Sequence, residues 1–292
     1  MTSRLALTLL FVAGCGAEGP SAIEGPVDGT WEPLVTVDWM VAPGDEQFMC
    51  AVATVPGDVL VRSFRAIAPV GTHHILGTLA AGGADGAFRC APGTLSDVLL
   101  FASGTTAGSL ELPPGVAMRI PAGAQVLVNV HLLNAHLDPL SGTSGIAVQT
   151  VPAGRVTEEA EMLLAGTSRF EIRPHSVTTA TGRCQFRADA TVTHLWPHMH
   201  LLGTRLRVTH HGHGGAVTLL DVPFAFDDQR HYAIEPTLVR AGERLEVTCT
   251  WNNATDRVVT FGDSTLNEMC FAGVVRYPAR DEGLYCQTDD GP

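Results

Sequence analysis

Apolar and polar side chains alternate along short segments of this chain, and almost no segment repeats at helical spacing. Leu245, Val247, Cys249 and Trp251 alternate with Glu246, Thr248 and Thr250. Val126, Val128 and Val130 share one face of a strand whose other face carries Asn129 and His131. Successive strand residues point to opposite faces, so each such segment presents two chemically distinct sides. Leu206 and Val208, then Val217 and Leu219, flank His210-His211-Gly212-His213-Gly214-Gly215, which reads as the turn of a hairpin. With 31 glycines and 18 prolines punctuating such strands in 292 residues, the expectation is an all-β chain of two tandem antiparallel β-sandwich, jelly-roll-like domains. Pro152 and Gly154 end the preceding strand pattern and mark a boundary, giving an N-terminal domain over 31–152 and a C-terminal one over 153–292.

The first residues are of a different kind. Arg4 supplies a positive start, Leu5 to Ala13 form a short apolar run, and Val12-Ala13-Gly14-Cys15 resembles a bacterial lipobox. The run is too short to span a bilayer. Residues 1–15 therefore read as a lipoprotein signal with Cys15 as the lipidation site, or as an ordinary cleaved signal; either way the product is exported. Residues 16–30 are rich in Gly, Pro and small or acidic residues, as suits a flexible tether. The expected placement is a membrane-anchored lipoprotein facing the periplasm or cell surface. A formal net charge of −12 argues against a nucleic-acid surface, which needs clustered basic side chains. With Cys15 set aside, six of the seven cysteines remain, an even number that permits three disulfides in an oxidising compartment. None forms a CxxC pair, so a zinc ribbon is not expected.

Four segments carry residues suited to a metal. In Trp196-Pro197-His198-Met199-His200-Leu201-Leu202-Gly203, the two histidines at i and i+2 project to one face of a strand and can meet one ion; two polar residues on a solvated face give the same pattern. In Gly71-Thr72-His73-His74-Ile75-Leu76-Gly77, adjacent histidines face opposite ways unless the backbone is bulged, and the other reading is one core and one exposed histidine. His131 lies opposite the valines of its strand and has no packing reason to be histidine. In Leu266-Asn267-Glu268-Met269-Cys270, the Met269 thioether is a soft ligand that favours Cu(I), although methionine is more often core filler.

In this order, the four segments resemble the copper type II, ascorbate-dependent monooxygenases, whose pattern is a His-His pair and a V-H strand in a first domain, then HxH and E-M-C in a second. The resemblance spans roughly residues 45 to 287. It implies two coppers per chain: one held by His73, His74 and His131 that stores and passes an electron, and one held by His198, His200 and Met269 that meets O2 and substrate. It implies disulfides Cys50–Cys90, Cys184–Cys286 and Cys249–Cys270. It also implies ascorbate or an equivalent one-electron donor, and insertion of one oxygen atom into a C–H bond of a small organic substrate. Peptide-amidating members hold a carboxylate with an Arg two residues before HxH and an Asn and a Tyr after E-M-C. Here those positions are Trp196, Phe271 and Gly273, which lack the charge-assisted donors of a carboxylate clamp. Trp196 and Phe271 suit an apolar or aromatic substrate face, or plain core packing.

Three functions remain in view: a copper monooxygenase, a non-catalytic copper-binding lipoprotein on the same fold, and a structural or glycan-binding sandwich with incidental histidines. His210, His211 and His213 are expected to be exposed in a turn, and His136, His175 and His231 to be loop residues. By parity His194 shares the face of His198 and is a candidate to support it, and Asn129 shares that of His131.

Overall fold

The computed structural model describes residues 30–80, 82–96, 98–104, 108–280 and 282–286. The signal, the Cys15 lipobox and the tether up to residue 29 lie outside them. No α-helix occurs among the described residues, and the strands form several largely antiparallel sheets. The all-β expectation thus describes the chain, and its sandwiches are built around one shared layer.

That layer is a long sheet. Its strands run, in order, Tyr232–Val239, Ala190–His198, Phe271–Tyr277, Glu161–Gly166, Val98–Gly104, Thr72–Ala80, Gln125–Leu133, Glu46–Thr54 and Gly86–Arg89. The first four come from the C-terminal part and the last five from the N-terminal part. They are joined where Met162 pairs with Leu99. A second sheet, with Glu32–Val41, Leu140–Thr150 and Val59–Ile67 at its heart, covers the N-terminal half. Between them lies one core, to which Val35, Val37, Phe64 and Ile146 contribute from the cover and Ile75, Val126, Val128 and Val130 from the long sheet. A four-stranded sheet with Arg244–Asn253 and Gly203–Gly212 at its centre covers the C-terminal half. Leu206, Val208, Val247 and Trp251 pack there against Leu163, Val192, Leu195 and Val274.

The alternation read in Arg244–Asn253 appears directly as burial, with Leu245, Val247, Cys249 and Trp251 inward. Gln125–Leu133 differs. Its valines fill the core, yet Asn129 and His131 are buried as well, because that face is covered by the segment through Ala91 and Thr94 and by the rings of Phe48, His73 and His74. The hairpin forms, but its turn is tighter than expected. His210 and His211 belong to the strand Gly203–Gly212, and the chain reverses between Gly212 and Gly215. His210 and His213 both donate to the buried carboxylate of Glu243, at 2.9 Å each. Of this trio only His213 is exposed; His210 and His211 are half-buried. His136 and His175 are loop residues.

Glu158–Glu159, beyond the 3-10 turn Ala153–Arg155, pairs parallel with Val116–Ala117 and remains with the first sandwich. Three disulfides join Cys50 to Cys90, Cys184 to Cys286 and Cys249 to Cys270, the pairs that the resemblance implies. The last braces the strand Arg244–Asn253 against the segment ending in Met269. Gly273 is closely packed within the second half: a Cβ there would lie 2.3 Å from Met162 Cε and 3.1 Å from Trp196 Cε3, so a side chain would have to displace them.

His231, a loop residue, sits at the junction. Its Nε2–H donates to Ala102 O at 2.8 Å, and its ring stacks on Phe101 and Trp196. Burial lowers its pKa to about 4. Its Nδ1 is buried without a partner, so a proton there would be an unpaired donor. The unfolded chain takes up that proton near 6.5 and the folded one only near 4, so stability is lost as pH falls through this window, by on the order of 3 kcal/mol from this residue. Thermal melts from pH 7 to 4 should show this loss, and His231→Phe should make the acid slope shallower; an unchanged slope would refute the assignment.

Candidate metal centres

The first histidine cluster depends on a break in the sheet. Against Gln125–Leu133, Thr72 pairs with Leu132 but His74 pairs with His131, so His73 is an extra residue in its strand. That bulge brings the side chains of two adjacent residues together, as sequence reasoning required. Gly71, at φ +101°, takes the left-handed turn leading into it. The Nδ1 atom of His74 lies 3.4 Å from Nδ1 of His73 and 3.3 Å from Nδ1 of His131. Ligand atoms of all three rings lie within 4.8 Å of one another.

The outer nitrogens of two rings are tied. His73 Nε2–H donates to Asp227 at 3.1 Å, and His131 Nε2–H donates to Glu46 at 2.6 Å. A neutral imidazole has one N–H and one lone pair, so these bonds leave the lone pairs on Nδ1, facing the cluster's centre. His131 also stacks flat on Phe48, with ring centres 4.4 Å apart. Burial, then the neighbouring imidazole of His73, lowers the His131 pKa to about 4, against the opposing pull of Glu46. Burial likewise lowers His74, reinforced by His131 and His73, and lowers His73 against Asp227. The cluster is thus neutral at physiological pH, the state a metal needs.

The second cluster forms where a strand ends. Ala190–His198 stops at His198, Met199 turns into the core, and His200 follows with its ring nearly perpendicular to that of His198, 5.5 Å between centres. His198 Nε2 lies 3.2 Å from Met269 Sδ. Its Nδ1–H donates to Gln229 Oε1 at 2.8 Å, and His200 Nδ1–H donates to Asn267 O at 3.1 Å. Here the free lone pairs are therefore on Nε2. Burial, then His200, lowers His198 to about 3, and burial lowers His200 as well.

Glu268 organises this cluster. Its buried carboxylate accepts from the backbone N–H of His200 at 2.9 Å, Leu202 at 2.6 Å and Met269 at 3.2 Å, and from Trp251 Nε1–H at 2.8 Å. It fastens the HxH segment to the loop that bears the methionine. Its pKa is raised by burial, against the pull of these four donors.

The two clusters open on one cavity of about 220 Å³, which touches His74 on one side and His198, His200 and Met269 on the other. His74 is close enough to His198 and His200, and His200 to His73, for their charges to interact. Phe48, Leu164, Trp196, Phe271 and Tyr285 provide much of the remaining wall. Trp196 and Phe271 are both buried and both line the cavity, so they pack and face it at once. The Trp196 indole N–H is committed to Gln229 O at 3.1 Å. Asn129 also lines the cavity, its side-chain amide held by Ala91 O and Thr94 O. His194 pairs with Thr193 and is not among the residues lining it.

Sequence reasoning singled out all six of these clustered residues but not the groups that orient them. Glu46, Asp227 and Gln229 act from distant parts of the chain, and no local pattern marks them. Glu268 stands within the E-M-C segment, where its position next to Met269 was the available signal.

The donor sets suit copper: three convergent imidazole lone pairs in one place, two and a thioether in the other. Comparison with known proteins gives the same chemistry. Residues 158–290 match the model of the copper type II ascorbate-dependent monooxygenase, C-terminal domain. Solved structures with some similarity include an infectious bursal disease virus subviral particle, 13% identical over 89% of this chain and 74% of that one with a TM-score of 0.19. Another is Bacillus subtilis oxalate decarboxylase, 10% identical over 79% and 71% with a TM-score of 0.15. Overlap at that level is too loose to speak to fold or function. The family match covers the HxH segment and Met269, so residues 158–290 are similar to the C-terminal domain of the copper type II ascorbate-dependent monooxygenases.

Proposed function

We propose that the protein is a copper monooxygenase that hydroxylates a C–H bond of a small organic substrate with O2 and a one-electron donor such as ascorbate. The observation that carries this reading is the single cavity onto which both donor sets open. A protein that only stored copper would have no need of an apolar chamber between its sites. Residues 31–152 would supply His73, His74 and His131 for one copper, and residues 153–292 would supply His198, His200 and Met269 for the other. Copper bound there supplies one-electron redox chemistry and O2 activation.

The protein's own contribution is positioning. Asp227, Glu46, Gln229 and the Asn267 carbonyl hold protons on the outer ring nitrogens, which keeps the inner lone pairs free. Buried aromatic walls exclude water and orient an apolar substrate. No Lys or Arg is among the described residues that line the cavity, while Asp263 and Asn129 are. The chamber therefore favours an apolar or aromatic substrate without a carboxylate, and peptidylglycine does not fit it. Export and anchoring through Cys15 belong to the same reading. The three disulfides support it, because such bonds persist in oxidising compartments.

Two measurements test the proposal. Copper-loaded protein should consume O2 with ascorbate and form a hydroxylated product from an apolar aromatic substrate; two bound coppers with no product from any C–H substrate would instead favour the non-catalytic copper-binding alternative. Met269→Ala should abolish hydroxylation, and the sulfur contribution to the X-ray absorption of the reduced copper should vanish, with the fold intact by circular dichroism. Retained hydroxylation in that variant would reject the assignment of the oxygen site.

A further inference from the structure

Residues 224–231 connect the strands Gly215–Pro223 and Tyr232–Val239, and they touch both donor sets. The Phe226 ring lies 4.2 Å from that of His73 and 6.2 Å from that of His200, centre to centre. Asp227 accepts the Nε2–H of His73 at 3.1 Å, and two residues later Gln229 accepts the Nδ1–H of His198 at 2.8 Å. The segment is itself fastened. Gln229 Nε2 donates to Phe226 O at 3.0 Å, and Gln229 O accepts from Trp196 Nε1 at 3.1 Å and from the Gly104 N–H at 3.0 Å. A Cβ on Gly104 would stand 2.9 Å from the Gln229 nitrogen, so the loop's close approach to the first half depends on that glycine.

We propose that this connection is a clamp, in which Asp227 and Gln229 are positioning residues that fix the tautomer and tilt of one imidazole in each site and thereby register the two sites against each other. The inference rests on the copper reading above for its purpose. Its physical content concerns the protein alone. Asp227 is an acceptor, so it selects the His73 tautomer with the proton on Nε2 and the lone pair on Nδ1, toward His74 and His131. Gln229 Oε1 selects the opposite tautomer of His198, with the lone pair on Nε2 toward Met269. Exchanging either tautomer would turn an N–H to where a metal must sit. Asp227 is exposed while Gln229 is buried, so the clamp is anchored at one end and reachable at the other.

The experiment is histidine-ring 15N NMR on the metal-free, disulfide-intact protein, followed by copper titration against a chelator with electron paramagnetic resonance of each site. The unmodified protein should show His73 as the Nε2–H tautomer and His198 as the Nδ1–H tautomer. Asp227→Ala should leave His73 as a mixture with His198 unchanged, and should weaken copper at the first site by about 10–100-fold. Asp227→Asn, which keeps an acceptor oxygen, should restore both. Gln229→Met should do the reverse, releasing His198 alone. Because Gln229 is buried and its replacement can disturb folding, the exposed Asp227 pair of variants decides by itself. An unchanged His73 tautomer in Asp227→Ala, or mixed tautomers already in the unmodified protein, would overturn the clamp. Tautomers as stated in a protein that takes up no copper would uphold the clamp and remove the copper reading instead.

Discussion

The backbone pairing of Met162 with Leu99 is the constraint on which the site depends. It makes one hydrogen-bonded layer out of strands from both halves of the chain, and each half then buries its own face of that layer under a separate cover. The halves cannot slide past each other without breaking the sheet. Two donor clusters that come from different halves of the chain are held in this way against one chamber. Gly104 serves the same end by leaving no side chain where the first half meets Gln229 of the second.

Much of this was legible in the sequence because the physics was local. Period-two alternation in Arg244–Asn253 needs no distant information, and the inward set appears as written. The spacing of His198 and His200 likewise states which way they point. His73 and His74 were conditional on a bulge, and the register shift at His73 supplies it. The shared sheet was not legible, since a single non-local pairing leaves no periodic trace. The orienting groups were hidden for the same reason: His73 and Asp227 are 154 residues apart, and His198 and Gln229 are 31 apart. His210 and His211 lie in the strand rather than in the Gly-rich turn, where the Glu243 carboxylate, buried and distant in sequence, binds His210 and holds His213 at the strand's end.

Polar groups at the site follow one rule. Each buried imidazole is kept neutral by desolvation, and each of the four with a fastened outer nitrogen gives its single proton to a fixed acceptor: a carboxylate, an amide oxygen or a backbone carbonyl. Glu268 applies the converse rule to the backbone. One carboxylate gathers four N–H donors and so ties a strand end, a loop and Trp251 together. Such networks tolerate little loss, because an abandoned buried donor or acceptor carries its full desolvation cost.

The two clusters point inward through different ring atoms: the first through Nδ1, the second through Nε2. Nδ1 lies nearer the polypeptide, so an ion held there would move on a short lever, with little slack in angle or distance. Nε2 is at the far edge of the ring, and with the flexible methionine chain beside it an ion there would have room to readjust. On the copper reading, the first centre would keep its shape as its charge changes, and the second would let new partners enter and leave.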